Sequence, residues 1–251
     1  MQKLFSFILL LIFSVALNAS ENKDLLTQAN KAYQAEKYQE AIDLYENILV
    51  NGKHAPSLYY NLGNAFYRNN QLGKAILNYE KAKLYAPRDE DIEHNLLIAK
   101  NRTFDNIVPF QPFFLSVWWK NTYQLLSPTI WAILGFLALF GTITGVSAWL
   151  LLTGRKRKQQ GFYGAIGAAI LAILFLSLGN SYHSIRVNSK IAIITTPQTD
   201  FKDGADELSN TISTLHEGVK IQLIENINDW QKVRLENGEV GWLQMDVFET
   251  I

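Results

Sequence analysis

The sequence predicts a multidomain chain: an all-α helical repeat, a transmembrane α-hairpin and a small all-β barrel, in that order. Three observations lead there. Residue types recur at an interval of thirty-four positions near the N-terminus, two long uncharged apolar stretches fill the middle, and short alternating strands with glycine turns close the chain. The 251 residues carry 23 basic and 23 acidic side chains, so no net field draws the chain to nucleic acid. Cysteine is absent, which excludes disulfides, thiolate metal sites and thiol nucleophiles.

Residues 1–19 read as a signal peptide. Lys3 gives a positive start, Leu4 to Val15 an apolar run, and Ala16 to Ala19 a stretch suited to cleavage. Leu17 stands where a small residue is preferred. Cleaved or retained as a short anchor, the segment implies export of the residues after it.

Over residues 20–107, Asn30, Tyr33, Ala41-Ile42 and Tyr45 return as Asn64, Tyr67, Ala75-Ile76 and Tyr79. With Leu62-Gly63-Asn64, Phe66, Ala82 and Pro87, the second copy matches the tetratricopeptide (TPR) signature. Gly63 and Ala75 are expected to let two antiparallel helices approach, with Phe66 and Tyr79 filling the gap. The first copy has Ala29 for the glycine and Ala32 for the large aromatic, and Asn51-Gly52 ends its second helix. A third helix from Asp89 to Lys100 is expected to cap the stack. Its acidic first turn (Asp89, Glu90, Asp91, Glu93) suits the helix dipole and needs no catalytic role.

Residues 108–127, with Phe113, Phe114, Trp118, Trp119 and Tyr123, read as an aromatic helix at a membrane–water interface. Residues 128–153 and 161–183 are long and apolar enough to be transmembrane helices. Between them, at 154–160, lies a loop with Arg155, Lys156, Arg157 and Lys158, which marks the cytoplasmic side. Both flanking regions are then outside, in agreement with the signal peptide. Gly141 with Gly145, and Gly164 with Ala168, are expected to face the partner helix. The spans lack acidic, Lys and Arg residues, which argues against an ion or transport pathway.

Residues 187–251 change to strand character. Ile191 and Ile193, then Val219, Ile221 and Leu223, alternate, and Asn237-Gly238 signals a hairpin. Phe201-Lys202-Asp203-Gly204, Leu215-His216-Glu217-Gly218, Asp229-Trp230-Gln231-Lys232-Val233 and Glu239-Val240-Gly241-Trp242-Leu243 resemble the bacterial SH3-like (SH3b) domain.

The chain offers little for chemistry. His54, His94, His183 and His216 lack metal-ligand spacing, and there is no phosphate loop, nucleophile elbow or dinucleotide fingerprint. No enzyme, catalytic residue, cofactor or metal is expected. Binding surfaces are the better candidates. Resemblance to the TPR family implies a peptide groove faced by Leu26, Asn30 and Tyr33, and by Tyr60, Asn64, Tyr67 and Arg68. Asn30 and Asn61 match the carboxylate clamp of some members, but Leu26 and Asp91 stand where lysines are needed, which argues against such a clamp. Asn30 and Asn64 are either ligand contacts or residues of the fold itself. Trp230 and Trp242 are either an aromatic SH3-like face or core, with core favoured for Trp242. Eleven acidic and five basic residues between Lys190 and Ile251 suit a neutral or basic protein partner better than an anionic polymer.

The full order of modules resembles the BatE family, protein E of the bacterial aerotolerance operon. That resemblance implies a protein of the Gram-negative inner membrane with both end domains in the periplasm. It implies protein partners, including membrane proteins with von Willebrand A domains and a MoxR-type ATPase, in a complex linked to stress tolerance. A scaffold is the expected function. The alternatives are an anchor or sensor subunit whose SH3-like domain holds peptidoglycan.

Overall fold

Five helices precede the apolar region: α1 (residues 23–34), α2 (Tyr38–Val50), α3 (Pro56–Arg68), α4 (Leu72–Tyr85) and α5 (Glu90–Lys100). The computed structural model describes residues 23–187 and 190–251; the signal peptide expected at 1–19 lies outside them. Helices α1–α2 and α3–α4 are the two copies of the repeat. Ala29, Ala41, Ile42 and Tyr45 from the first, and Leu62, Phe66, Ala75, Ile76 and Tyr79 from the second, share one buried core. A Cβ on Gly63 would lie 2.7 Å from the Tyr79 ring, so the aromatic packs only because the facing position has no side chain. Asp89 caps α5, its carboxylate accepting from the backbone N–H groups of Asp91 and Ile92 at 3.1 and 3.2 Å. Leu96 and Ala99 of α5 close the end of the core.

The C-terminal region is one antiparallel sheet of seven strands: β1 (Ile191–Ile194), β2 (Gln198–Lys202), β3 (Thr211–His216), β4 (Lys220–Ile227), β5 (Trp230–Leu235), β6 (Val240–Gln244) and β7 (Phe248–Thr250). Its order is β3-β2-β6-β5-β4-β1-β7. The ladder stays open, with β3 and β7 as its edges, where the sequence predicts a closed barrel. Inward residues of six strands, among them Ala192, Phe201, Leu215, Ile221, Val233 and Leu243, still meet in one core. The hairpin at Asn237-Gly238 joins β5 to β6, with Leu235 N–H donating to Glu239 O at 2.9 Å and Gly238 N–H to Leu235 O at 3.0 Å.

Helices and sheet are not separate domains. Residues 23–110 and 190–251 form a single compact unit. The pleat of β1 explains how: Ala192 and Ile194 face the sheet core, while Ile193, between them, is buried in the helical core. Glu217, in the β3–β4 turn, accepts from the N–H of Gly73 at 2.7 Å, setting a carboxylate at the positive end of α4. Glu80 of α4 is buried between Lys100 Nζ at 2.8 Å and Lys220 Nζ of β4 at 3.0 Å. Asp105, on the segment after α5, accepts from His216 N–H at 2.6 Å and lies 3.1 Å from its Nδ1.

Residues 111–189 form the second unit. The aromatic segment 108–127 contains one helix, α6 (Phe114–Tyr123), ten residues long. It is followed by α7 (Pro128–Leu151) and α8 (Arg155–Val187). Both α7 and α8 are long and apolar enough to cross a membrane, and only 11% and 17% of their most apolar windows are buried. The basic run is not a loop: Arg155 to Lys158 opens α8. Lys and Arg are good helix formers, so the turn contracts to 152–154. A Cβ on Gly145 would come within 2.9 Å of Ala165, and one on Gly141 would sit 3.5 Å from Ala168. Gly164 has nothing within 4 Å of that position, and Gly161, against Trp149, takes its place in the contact. Trp119 Nε1 donates to Ser181 Oγ at 3.2 Å, fastening α6 to α8.

The Glu80 seam predicts an acid transition. Burial alone pushes a carboxyl up, but the ammonium groups of Lys220 and Lys100 outweigh it and hold Glu80 at about 2, below its ordinary 4.5. A group depressed in the folded state stabilises above its unfolded pKa, and that contribution fades as pH falls from 4.5 towards 2. Glu80→Gln should destabilise the detergent-solubilised full chain at pH 7 by roughly 3 kcal/mol, since two lysines lose their buried partner. It should also flatten the acid dependence of thermal unfolding over that window. Equal pH profiles for the two proteins would exclude this role.

Candidate functional site

The first helices of the two repeats line two adjoining hollows. One, of about 150 Å³, is bordered by Asn30, Tyr33, Gln34, Tyr45, Asn61 and Asn64. The other, of about 180 Å³, is bordered by Tyr33, Asn64, Tyr67, Arg68, Tyr79 and Asn95, with Ile98. Tyr33 and Asn64 belong to both, so the hollows read as one groove across α1, α3 and α5.

The repeat generates this surface twice. Tyr45 Oη donates to Asn30 Oδ1 at 2.7 Å, and Tyr79 Oη donates to Asn64 Oδ1 at 2.7 Å. Each bond ties the second helix of a repeat to the first. Asn64 also accepts from Asn95 Nδ2 at 2.9 Å, and the same amide donates to Tyr60 Oη at 2.9 Å. Asn30 and Asn64 therefore hold the stack together and border the groove. With Oδ1 engaged, each amide still has N–H donors for a peptide carbonyl.

The hydroxyls of Tyr45 and Tyr79 donate within the groove. Burial pushes Tyr45 up to about 12 and Tyr79 higher still. Tyr33 is also raised, by burial first, against the opposing pull of Arg68. Charge enters at one end: Arg68 lies over the Tyr38 ring at 5.8 Å, and Arg102 over the Tyr67 ring at 4.9 Å. The surface thus offers neutral hydrogen-bonding groups along its length and guanidinium groups beside Tyr67, an arrangement suited to an extended peptide backbone.

Six of the eight expected groove residues line these hollows: Asn30, Tyr33, Asn61, Asn64, Tyr67 and Arg68. Leu26 is exposed on α1. Tyr60 is drawn into the stack by Asn95, and its ring lies 6.0 Å from that of Tyr79. Gln34, Tyr45, Asn95 and Ile98 join the groove beyond those expectations. Tyr45 is legible through its pairing with Tyr79; Asn95 has no counterpart in the repeat.

Trp230 and Trp242 do not form an aromatic binding face. They are only 9% and 8% exposed, with Lys202 Nζ 5.5 Å from one ring and Lys232 Nζ 5.4 Å from the other. An ammonium group lies over each indole, which strand alternation alone does not reveal. Of the histidines, His54 Nδ1 lies 2.7 Å from Tyr59 Oη, and His216 belongs to the seam with Asp105. Among the described residues, no group of three or more His, Asp or Glu side chains converges as a metal site would require.

No family model matches the chain, and no curated protein does. Among solved structures it is similar to the Sgt2 TPR domain from Aspergillus fumigatus, at 14% identity over 77% of this chain and 89% of that chain, with a TM-score of 0.31. At that score the repeat rests on this chain's own period and paired hydrogen bonds.

The division of labour among the asparagines is testable in the detergent-solubilised full chain. Asn64→Ala should lower stability by about 1–3 kcal/mol, because the buried Tyr79 hydroxyl loses its acceptor. Asn61→Ala with Arg68→Ala removes groove groups without touching that bond and should leave the unfolding temperature near wild type. Equal losses in both variants would mean that the groove has no surface separable from the fold.

Proposed function

We propose that the chain is a non-catalytic adaptor anchored in the bacterial inner membrane, with the helical stack and the sheet in the periplasm. The observation that carries this is the groove: neutral donors and acceptors fixed in duplicate by the Tyr45–Asn30 and Tyr79–Asn64 bonds, in a chain that also holds an apolar hairpin. Anchoring is supported by the length and openness of α7 and α8. The orientation rests on the basic start of α8, which the positive-inside rule assigns to the cytoplasm. An SH3-like ancestry of the sheet is supported by its antiparallel order and by its Gly241-Trp242 pair, where a Cβ on Gly241 would come 2.6 Å from the Phe201 ring.

In this reading the module order makes the chain similar to BatE proteins. The partners are then periplasmic segments of membrane proteins, those with von Willebrand A domains foremost. The wall-anchor alternative is weakened on two counts. The indoles that would grip a wall peptide are covered, and the sheet region is acidic.

Deleting the helical stack would strip Ile193 and Lys220 of their partners, so groove point variants give the cleaner test. Tagged full-length protein, purified in mild detergent, should bring down a discrete set of membrane proteins. Asn61→Ala with Arg68→Ala should lose that set while the protein remains folded. Recovery of wall fragments alone, or the same proteins with both forms, would reject the adaptor reading.

A further inference from the structure

We infer that the hollow beside β4 and β5, where the chain leaves for the apolar helices and returns from them, binds an anionic phospholipid. The inference rests on the membrane placement proposed above but not on the peptide groove. The hollow measures about 470 Å³, and Phe110, Ile191, Ile221 and Leu235 give it apolar walls, with Lys220 and Arg234 also on its border. That volume is of the size that receives organic ligands. Phe110 N–H donates to Glu236 O at 2.7 Å, and Leu223 N–H to Lys190 O at 2.7 Å, so both chain exits are pinned at this rim.

Charge selects the ligand. The segment from Lys190 to Ile251 holds eleven acidic and five basic residues. Two of those five, Lys220 and Arg234, border this hollow, with Glu236 the acid among them, and Lys190 directly precedes Ile191 in the chain. Lys220 is partly spoken for by Glu80 at 3.0 Å. Arg234 has only a long 3.5 Å contact to Gln222 and is exposed, so its fork is available to a phosphodiester. A small soluble anion would leave Phe110, which is 78% exposed, without a function. A phospholipid uses both features, its phosphate on Arg234, within reach of the chain return at Lys190, and its glycerol and upper acyl carbons on Phe110 and Ile191. Phe110 is the last residue before the segment leading to α7, and Lys190 comes shortly after α8; at those exits a lipid is the amphiphile at hand.

The test is hydrogen exchange of the full chain in lipid nanodiscs. Discs of phosphatidylcholine alone are compared with discs that also contain phosphatidylglycerol. The basic run at Arg155 to Lys158 recruits anionic lipid by itself, so the readout is confined to amides of Lys220–Gln222 and Arg234–Gly238. With phosphatidylglycerol at about ten times its dissociation constant, these amides should exchange about tenfold more slowly. Arg234→Gln with Lys190→Gln should abolish that slowing and leave the rest of the sheet unchanged. Unchanged exchange with phosphatidylglycerol, slowing that survives in the double variant, or equal slowing by soluble glycerol phosphate would each overturn the inference. A chain that fails to enter the discs would overturn the membrane placement as well.

Discussion

A buried carboxylate tolerates few alternatives to its observed surroundings. Glu80 sits in the seam between helices and sheet, and its two ammonium partners come from different elements, Lys100 from the end of α5 and Lys220 from β4. Desolvating a charge costs several kcal/mol unless partners are in place. The seam therefore has one favourable register, with Lys220 over Glu80, and a slipped β4 would leave the carboxylate with Lys100 as its one partner. Ile193 adds apolar area on the same side, and Glu217 fixes the start of α4. The neighbour of Glu80 on that helix is Tyr79, whose hydroxyl holds Asn64 in the groove. The strand that anchors Glu80 and the amide that borders the groove are thus linked through one turn of one helix.

This coupling changes what the apolar hairpin is. In sequence it separates two domains. In space, residues 23–110 and 190–251 form one unit, and the hairpin is an insertion within it. Insertions succeed where the two ends lie close together on a surface, and Phe110 and Ile191 border the same hollow. The segment after α5 is fixed along the sheet by Asp105 on His216 and by Phe110 on Glu236.

The legible features of the sequence are local or periodic. The thirty-four-residue interval identifies both helix pairs and the Asn30/Asn64 and Tyr45/Tyr79 correspondences, because a repeat writes the same contact twice. Hydrophobicity alone locates α7 and α8. The seam is not legible. Glu80 and Lys220 are 140 positions apart and Asp105 and His216 are 111 apart, and each looks like an ordinary surface residue in its own segment. Trp242 is buried, as the core reading favoured for it expects, while Trp230 stays open in the sequence because whether an indole on a strand is face or core depends on what packs over it. The basic run reads as a loop because charge reports orientation, while helix propensity decides its conformation.

The groove's chemistry follows from the same economy. Its hydrogen-bonding groups are amides and phenols, and burial raises the Tyr45 and Tyr79 phenols further above their ordinary range. Their bonds are neutral, so salt screens them little, and selection along the groove depends on the spacing of donors and acceptors more than on charge. Arg68 and Arg102 add polarity at one end, stacked over Tyr38 and Tyr67 and thereby partly pre-ordered. Leu26, where a lysine-dependent clamp needs its cation, lies exposed on α1, and the guanidinium groups come instead from the last turn of α3 and from just beyond α5.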